Sequence, residues 1–284
     1  MLDAALKDAR GGVARTVEAA LADVALPVAD AMRYAVVGGK GLRGFLVLEG
    51  ARLHGAAHAL PVAAAIECLH TYSLIHDDMP CMDDDALRRG QPTVHVKWDE
   101  ATAVLAGDAL QSLAFELIGQ SDAPEAAKVD LMTSLSVAAG VRGMVGGQAM
   151  DIAAETAEMP LTLDQIKTLQ AGKTGALITW SAMAGPRMAL ADTTALKTYG
   201  DALGLAFQIA DDVLDIEGDA ATVGKAVGKD ADAGKATFVS LLGLDSAKRE
   251  ATALVEQACD ALSDYGNDAE TLRAAARYVI SRDK

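Results

Sequence analysis

Apolar residues along this chain recur at intervals of three and four positions rather than two. Leu42, Phe45, Leu46 and Leu53 follow this spacing, and the run from Val62 to Ile75 follows it as well. The interval is typical of α-helices that place one face on a core. The pattern predicts helices at residues 2–22, 27–36, 42–57, 60–79, 98–120, 124–139, 140–156, 162–184, 192–217, 236–263 and 267–281.

Local signals support these helices and separate them by short loops. Thr162 and Gln165 have the spacing of a capping box, and Pro124 suits the first turn of a helix. No linker rich in glycine, serine or proline divides the chain, and no repeat of solenoid length is present. We therefore expect a single all-α domain over residues 1–284.

The composition agrees with a globular, helical protein. The 284 residues are 51% apolar and 23% charged, with 7 prolines, which excludes collagen-like, disordered and disulfide-stapled chains. The 40 acidic and 25 basic side chains give a net charge of −15, which repels nucleic acids and anionic membranes. The 3 cysteines are far apart and lack CxxC spacing, as expected in a reducing compartment.

Neither a signal peptide nor a membrane span is predicted. Charged side chains occur at short intervals over residues 1–21, so this part has no apolar signal region. The longest uncharged stretch, residues 53–66, has 14 residues, fewer than the about 18 needed to cross a bilayer. We expect a soluble, cytoplasmic protein.

Two aspartate-rich clusters are the strongest chemical signal, one at residues 77–85 and one at residues 211–215. Asp211 and Asp215 are four positions apart, so on a helix they share one face about 6 Å apart. Carboxylates this close repel one another unless a cation lies among them, and Mg²⁺ is a hard cation that prefers oxygen ligands. A solvated acidic surface is the alternative, but two clusters after apolar helices favour a metal site.

The residues around the first cluster suggest an anion as well as a metal. Pro80 cannot continue a helix interior, so the chain should bend there and bring Asp77 close to Asp83. The arginine pair at 88–89 either ends a helix or binds an anion beside the metal. His70 is either a buried structural histidine or a diphosphate ligand. Further cations lie in loops flanked by glycine, namely Lys40, Arg43, Lys173, Lys225, Lys229 and Lys235.

These motifs closely resemble those of the trans-isoprenyl diphosphate synthases, in particular the bacterial enzymes that make farnesyl diphosphate. The matching segments are residues 38–43, 68–93, 107–110, 146–148, 173–175 and 207–215. The resemblance implies an all-α, orthogonal bundle of about ten or more helices around a deep central cavity. It also implies a homodimer and two aspartate motifs that face each other across the mouth of the cavity.

The resemblance further implies a reaction and a role for each motif residue. Isopentenyl diphosphate would condense with dimethylallyl or geranyl diphosphate to give (2E,6E)-farnesyl diphosphate, with three Mg²⁺ ions per active site, or Mn²⁺ in their place. The metal ligands would be Asp77, Asp83 and Asp211, supported by Asp78, Asp212 and Asp215. The allylic diphosphate would be held by Arg88, Lys173, Lys225 and Lys235, and isopentenyl diphosphate by Lys40, Arg43, His70 and Arg89. The catalytic residues would be Arg88, Lys173, Thr174 and Gln208, of which the last two stabilise the allylic cation.

The chain departs from the family pattern in the first glycine-rich loop. Gly41 and Gly44 stand where the family commonly has arginine and proline, so we expect a looser loop that keeps its binding residues. Product length should depend on Tyr72 and Ser73, just before the first cluster. An aromatic residue at the position of Tyr72 is typical of the family's C15 producers.

Three alternatives remain at this point. A geranylgeranyl diphosphate synthase would use the same chemistry in a deeper pocket. A terpene cyclase would have a second metal motif that mixes Asn, Ser and Glu, and it would not need sites for a second diphosphate. A non-catalytic helical partner subunit would carry hydrated acidic clusters, and the completeness of both clusters argues against it.

Overall fold

The computed structural model describes residues 2–217 and 237–281. Within these ranges the prediction of an all-α chain is confirmed, because the only extended elements form one small two-stranded hairpin. Contacts between Cα atoms group the chain into two compact units, residues 1–132 with 184–191 and residues 133–183 with 192–284. One domain over residues 1–284 stays a prediction.

The first unit is built around one buried helix. Its elements are α1 (Leu2–Ala20), α2 (Pro27–Val36), α3 (Leu42–Leu53), α4 (Leu60–Asp77), β1 (Leu87–Arg88), β2 (Gln91–Pro92), α5 (Val94–Lys97), α6 (Glu100–Gln120) and the beginning of α7 (Glu125–Ala139). Helix α4 packs against α1, α3 and α6, and its residues from Val62 to Ile66 are fully buried. A helix that is apolar on nearly all sides belongs in a core. The first aspartate cluster therefore begins where the core helix ends, at Asp77.

Helix α6 is long and apolar enough, by length and composition alone, to cross a membrane. However, 44% of its most apolar window is buried within the protein, and it packs along α4. Ala106, Leu110 and Ala114 of this helix are fully buried. Core helices commonly combine such length with such composition, so this pattern is weak support for a membrane span.

The second unit surrounds the helix that carries the second aspartate cluster. Its elements are α8 (Met144–Glu155), α9 (Leu163–Gln170), a π-helical segment (Ala171–Gly175), most of α10 (Ala176–Met188), α11 (Thr194–Glu217), α12 (Phe238–Leu242), α13 (Leu244–Ala261), a 3₁₀ segment (Ser263–Ala269) and α14 (Glu270–Ser281). Helix α11 packs along α13, and Ile166, Ile209 and Phe238 share one core cluster. The hydroxyl of Tyr199 donates to the carbonyl of Leu272 at 2.9 Å.

Most predicted helices are present, and the differences have local causes. The capping box of Thr162 and Gln165 is confirmed. The helix predicted at 236–263 is divided at Gly243, whose φ of 77° lies in the left-handed region. The last helix begins at Glu270 instead of residue 267, because a 3₁₀ segment precedes it.

Candidate active site

The first aspartate-rich loop folds back onto the end of α4. The backbone N–H of Asp83 donates to the carbonyl of Asp77 at 2.8 Å, and that of Asp85 donates to Asp78 at 3.2 Å. Pro80 has no N–H and cannot continue the helix. The chain therefore leaves the helix, and these two hydrogen bonds hold the loop against the end of α4. The prediction that residues 77 and 83 converge is therefore confirmed for their backbones.

Asp78 and Arg88 form an ion pair in this loop. Nε of Arg88 donates to Oδ1 of Asp78 at 2.8 Å, and Nη2 donates to the same oxygen. Burial raises the pKa of Asp78, and the Arg88 hydrogen bond partly offsets this effect. For Arg88, burial lowers the pKa, but the hydrogen bond to Asp78 and the negative charges of Asp78, Asp85 and Asp77 together outweigh burial, and the net shift is upward. The buried carboxylate of Asp78 therefore holds this guanidinium in place.

Arg88 and Arg89 lie on a β-hairpin that the sequence analysis did not predict. The turn residues Arg89 and Gly90 have φ values of 54° and 75°, as two-residue hairpin turns with positive φ require. The hydroxyl of Tyr34 on α2 donates to the carbonyl of Pro92 at 2.8 Å. Tyr34 thus anchors the hairpin that presents both arginines.

The first glycine-rich loop makes contacts that only glycine allows. Gly39 has a φ of 72°, and a Cβ there would collide with the guanidinium of Arg89. Gly41 has a φ of 65°, and a Cβ there would collide with Cγ of Arg10. Nη1 of Arg10 also donates to the carbonyl of Gly39 at 3.1 Å. Arg10 from α1 therefore braces the loop at Gly39 and Gly41.

Arg43, Arg89 and His70 form a cluster in which the two guanidinium groups are cationic and the imidazole lies close to both. Burial lowers the pKa of all three, and neighbouring arginines lower it further. The negative charge of Glu67 acts against these effects, because it raises the pKa of both arginines. Nε of Arg43 is buried and has no hydrogen-bond partner among the described residues. Buried cations with an unused donor provide what an anion such as a diphosphate needs.

His70 should make stability depend on pH. Its pKa lies well below the ordinary value, first through burial and then through Arg43, Arg89 and Arg88. The unfolded chain binds a proton there below about pH 6.5 while the folded chain does not, so acid favours unfolding. When the pH is lowered from about 7.5 to about 5.5, the free energy of unfolding of the wild type should fall. We expect this fall to be about 1 kcal/mol smaller in His70→Gln.

Urea unfolding at the two pH values measures this difference in the free energy of unfolding. His58→Gln is the matched control, because that imidazole is 70% exposed. An identical pH response in the wild type and His70→Gln would contradict the assignment of a neutral, buried His70.

Lys173 and Thr174 lie in the π-helical segment between α9 and α10. Such segments are rare and often occur at functional sites. A Cβ on Gly147 would collide with the backbone nitrogen of Lys173, so α8 approaches this segment through its backbone. Nζ of Lys173 donates to Oδ2 of Asp151 on α8 at 2.6 Å. The glycine at position 147 is thus explained by the close packing of α8 at Lys173.

A chain of hydrogen bonds connects the π-helical segment to α11 and α12. Thr174 donates to Oε1 of Gln208 at 3.2 Å, and Nε2 of Gln208 donates to Oδ1 of Asp212 at 3.1 Å. Oδ2 of Asp212 accepts from the backbone N–H of Phe238 at 2.8 Å. Asp212 is only 5% exposed, so its carboxylate orients the Gln208 amide within the protein.

Asp211 and Asp215 lie one turn apart on α11, and both are half-buried. In residues 2–217 and 237–281, no three His, Cys, Asp or Glu side chains are gathered closely enough to bind a metal ion. Mg²⁺ typically takes one or two carboxylates and completes its shell with water and substrate phosphate oxygens. The carboxylate donors of each cluster therefore fit an ion that is bound together with a diphosphate.

The lysines predicted as diphosphate ligands have three different outcomes. Lys40 is half-buried in the first glycine-rich loop. Lys173 is paired with Asp151. Lys225 and Lys235 lie outside the described residues.

Tyr72 and Ser73, the predicted product-length residues, lie on α4. Tyr72 is 6% exposed, and its ring meets that of His76 edge to face with centroids 5.7 Å apart. The hydroxyl of Ser73 donates to the carbonyl of His70 at 2.8 Å. Tyr72 is five residues before Asp77, which is about 7.5 Å along the helix.

Four residues near these groups were missed by the sequence analysis, namely Arg10, Tyr34, Glu67 and Asp151. Glu67 had a usable signal, because it is a charged residue in an otherwise apolar run. Asp151 follows the Gly146–Gly147–Gln148 motif by three positions, which was a weaker signal. Arg10 and Tyr34 had none, because both act through distant backbone carbonyls.

Comparison with known proteins gives one consistent result. The polyprenyl synthetase family model matches residues 27–278. A protein of Escherichia coli K12 named farnesyl diphosphate synthase is 43% identical over 299 aligned residues, which cover 100% of this chain and 98% of the relative.

Solved structures agree with this result. The apo structure of an FPP/GFPP synthase from Zymomonas mobilis superposes with a TM-score of 0.87 and 44% identity, covering 98% of each chain. A geranyltransferase from Helicobacter pylori, complexed with magnesium and isoprenyl diphosphate, has a TM-score of 0.79 and 33% identity. That match covers 98% of this chain and 96% of the other. As its motifs predicted, this chain belongs to the polyprenyl synthetase family and has the all-α fold of the isoprenoid synthases.

Proposed function

We propose that this chain condenses isopentenyl diphosphate with dimethylallyl or geranyl diphosphate and releases (2E,6E)-farnesyl diphosphate. One observation carries the proposal: the cationic cluster of Arg43, Arg89 and His70 lies beside the aspartate loop. The ion pair between Asp78 and Arg88 connects this loop to the hairpin that carries Arg88 and Arg89. Anion-binding groups next to carboxylates suit a diphosphate and its counter-ion. The name of the E. coli relative, farnesyl diphosphate synthase, supports the same product.

The reaction requires one bond to break and one to form. The allylic C–O bond breaks and diphosphate leaves with both bonding electrons. The double bond of isopentenyl diphosphate attacks the allylic cation, a new C–C bond forms, and a proton is lost to restore a double bond. The hydroxyl of Thr174 and the amide of Gln208 are neutral, hydrogen-bonded oxygen groups, so they can stabilise a cation without capturing it.

We assign the diphosphate ligands according to the charges around them. Arg88 and Lys173 would bind the leaving diphosphate, together with Lys225 and Lys235. Lys40, Arg43, His70 and Arg89 would bind the diphosphate of isopentenyl diphosphate, which is retained. The supporting observation is that Arg43, Arg89 and His70 affect one another electrostatically.

We propose Mg²⁺ as the cofactor. The ligands would be Asp77, Asp83 and Asp211, with Asp215 in support. Asp78 and Asp212 would support the site indirectly, because they accept hydrogen bonds from Arg88 and from Gln208 and Phe238. A bound divalent ion would stabilise the negative charge that develops on the leaving diphosphate. The magnesium in the H. pylori geranyltransferase supports this choice.

We further propose a cytoplasmic homodimer. Helix α6 exposes Val104 and Leu105, which are 39% and 57% accessible, and a second copy could cover this apolar surface. The alternative of a non-catalytic partner subunit is disfavoured, because both aspartate clusters are complete.

Chromatography of the prenyl products tests the proposed function. We expect labelled isopentenyl diphosphate and geranyl diphosphate to give a C15 diphosphate with Mg²⁺ and no product with a chelator. A mainly C20 product would favour the geranylgeranyl alternative. The absence of any extended product would contradict an enzyme and favour the partner subunit.

A further inference from the structure

Glu67 is a charged residue on the core helix α4, and its carboxylate reaches the beginning of α3. Oε1 of Glu67 accepts from the backbone N–H of Gly44 at 2.7 Å. Gly44 is in the first turn of α3, where N–H groups have no partner within the helix. The carboxylate satisfies one of these donors and lies at the positive end of the helix dipole.

This hydrogen bond depends on the backbone N–H at position 44. Proline has no N–H to donate, so a proline at position 44 could not make this bond. A Cβ on Gly44 would lie 3.2 Å from Cγ of Glu67 and 3.2 Å from Cγ2 of Val13, so the two segments are packed closely. The N–H of Gly44 therefore anchors the carboxylate of Glu67.

The anchored carboxylate is close to the isopentenyl diphosphate ligands but is not paired with them. Glu67 acts electrostatically on Arg43 and Arg89. Among the described residues, however, it makes no ion pair with either guanidinium, and its carboxylate accepts a hydrogen bond from the backbone N–H of Gly44. Nε of Arg43 still has an unused hydrogen atom.

We infer that Glu67 is a positioning residue of the isopentenyl diphosphate site: held on Gly44, it offsets the charge of Arg43 and Arg89 and leaves their donors for substrate. The inference rests on the proposed function. A free carboxylate at this position would pair with an arginine and compete with the diphosphate. A missing charge would leave the arginines uncompensated, so any diphosphate, including the released inorganic one, would bind more tightly.

Two changes with opposite expected effects test this inference. Gly44→Pro removes the N–H and releases Glu67, and we expect the KM for isopentenyl diphosphate to rise about fivefold with little change in the KM for geranyl diphosphate. Gly44→Ala is the matched control, because it adds the same Cβ but keeps the N–H. Glu67→Gln keeps the acceptor oxygen and removes the charge, and we expect inorganic pyrophosphate to bind about fivefold more tightly.

Calorimetric titration of each full-length variant with isopentenyl diphosphate and with inorganic pyrophosphate gives the affinities without turnover. Equal behaviour of Gly44→Pro and Gly44→Ala, or weaker pyrophosphate binding by Glu67→Gln, would overturn the inference. If Gly44→Pro fails to fold, Glu67→Gln alone tests the inference: tighter binding of inorganic pyrophosphate supports it, and weaker binding contradicts it. If the wild type binds isopentenyl diphosphate but makes no prenyl product, the proposed function is contradicted. The measured affinities then still test the positioning role of Glu67.

Discussion

Replacing Asp211 by alanine is expected to lower turnover by about three orders of magnitude while the fold is retained. Asp211 is half-buried on α11, whereas the hydrogen bonds that connect α11 to the π-helical segment run through Thr174, Gln208 and Asp212. The loss should therefore come from the developing charge on the leaving diphosphate rather than from misfolding. Steady-state kinetics with isopentenyl and geranyl diphosphate, at increasing Mg²⁺, measure this effect.

Asp201→Ala provides the control on the same helix. Its carboxylate is exposed, pairs with Lys197 at 2.6 Å and accepts from the hydroxyl of Thr179 at 2.8 Å, and exposed ion pairs contribute about 0–1 kcal/mol. This variant should turn over substrate like the wild type, and circular dichroism should give the same helix content for both variants. Near-normal turnover of Asp211→Ala would remove Asp211 from the metal ligands.

Helix positions in this protein followed from periodicity, whereas helix interruptions needed local backbone geometry. Helix α4 was predicted at residues 60–79 and ends at Asp77, two residues earlier and just before the proline at position 80. Gly243 lies between apolar residues that fit a helix on both sides, so only its positive φ reveals the break. The hairpin at 87–92 has strands of two residues each, which is too short for an alternating pattern to be recognised.

The aspartate clusters were visible in the sequence, but the role of each carboxylate was not. Asp78 is adjacent to Asp77 in the chain, yet it is buried against Arg88. Asp212 is adjacent to Asp211, yet it accepts bonds from Gln208 and Phe238. Spacing alone treats such neighbours as equivalent, because it does not show which carboxylate meets a donor from another element.

Ion pairs and anchors that connect distant segments were also beyond the sequence. Glu67 and Gly44 are 23 positions apart, and Lys173 and Asp151 are 22 positions apart. Such pairs depend on how α3 packs on α4 and how α8 packs on the π-helical segment. The glycines that permit these approaches were noted as motif residues, but their partners became known only from the packing.

Product length should respond to the side chain at position 72. Tyr72 is 6% exposed on α4 and lies about 7.5 Å before Asp77 along the helix axis. If its ring closes the space into which the growing chain extends, Tyr72→Ala should give products longer than C15, with C20 prominent. Chromatography of the prenyl products after reaction with excess isopentenyl diphosphate measures this shift.

Removing a buried aromatic ring also lowers stability, by about 3–5 kcal/mol for truncation to alanine. Tyr72→Met is therefore a second variant, since methionine is flexible and fills irregular space at a smaller cost. Tyr199→Leu is the control, because it removes another buried tyrosine, one whose hydroxyl bonds to Leu272 on α14. It should lose stability and still make C15. A C15 product from both Tyr72 variants would show that the tyrosine ring belongs to the core and does not limit the chain.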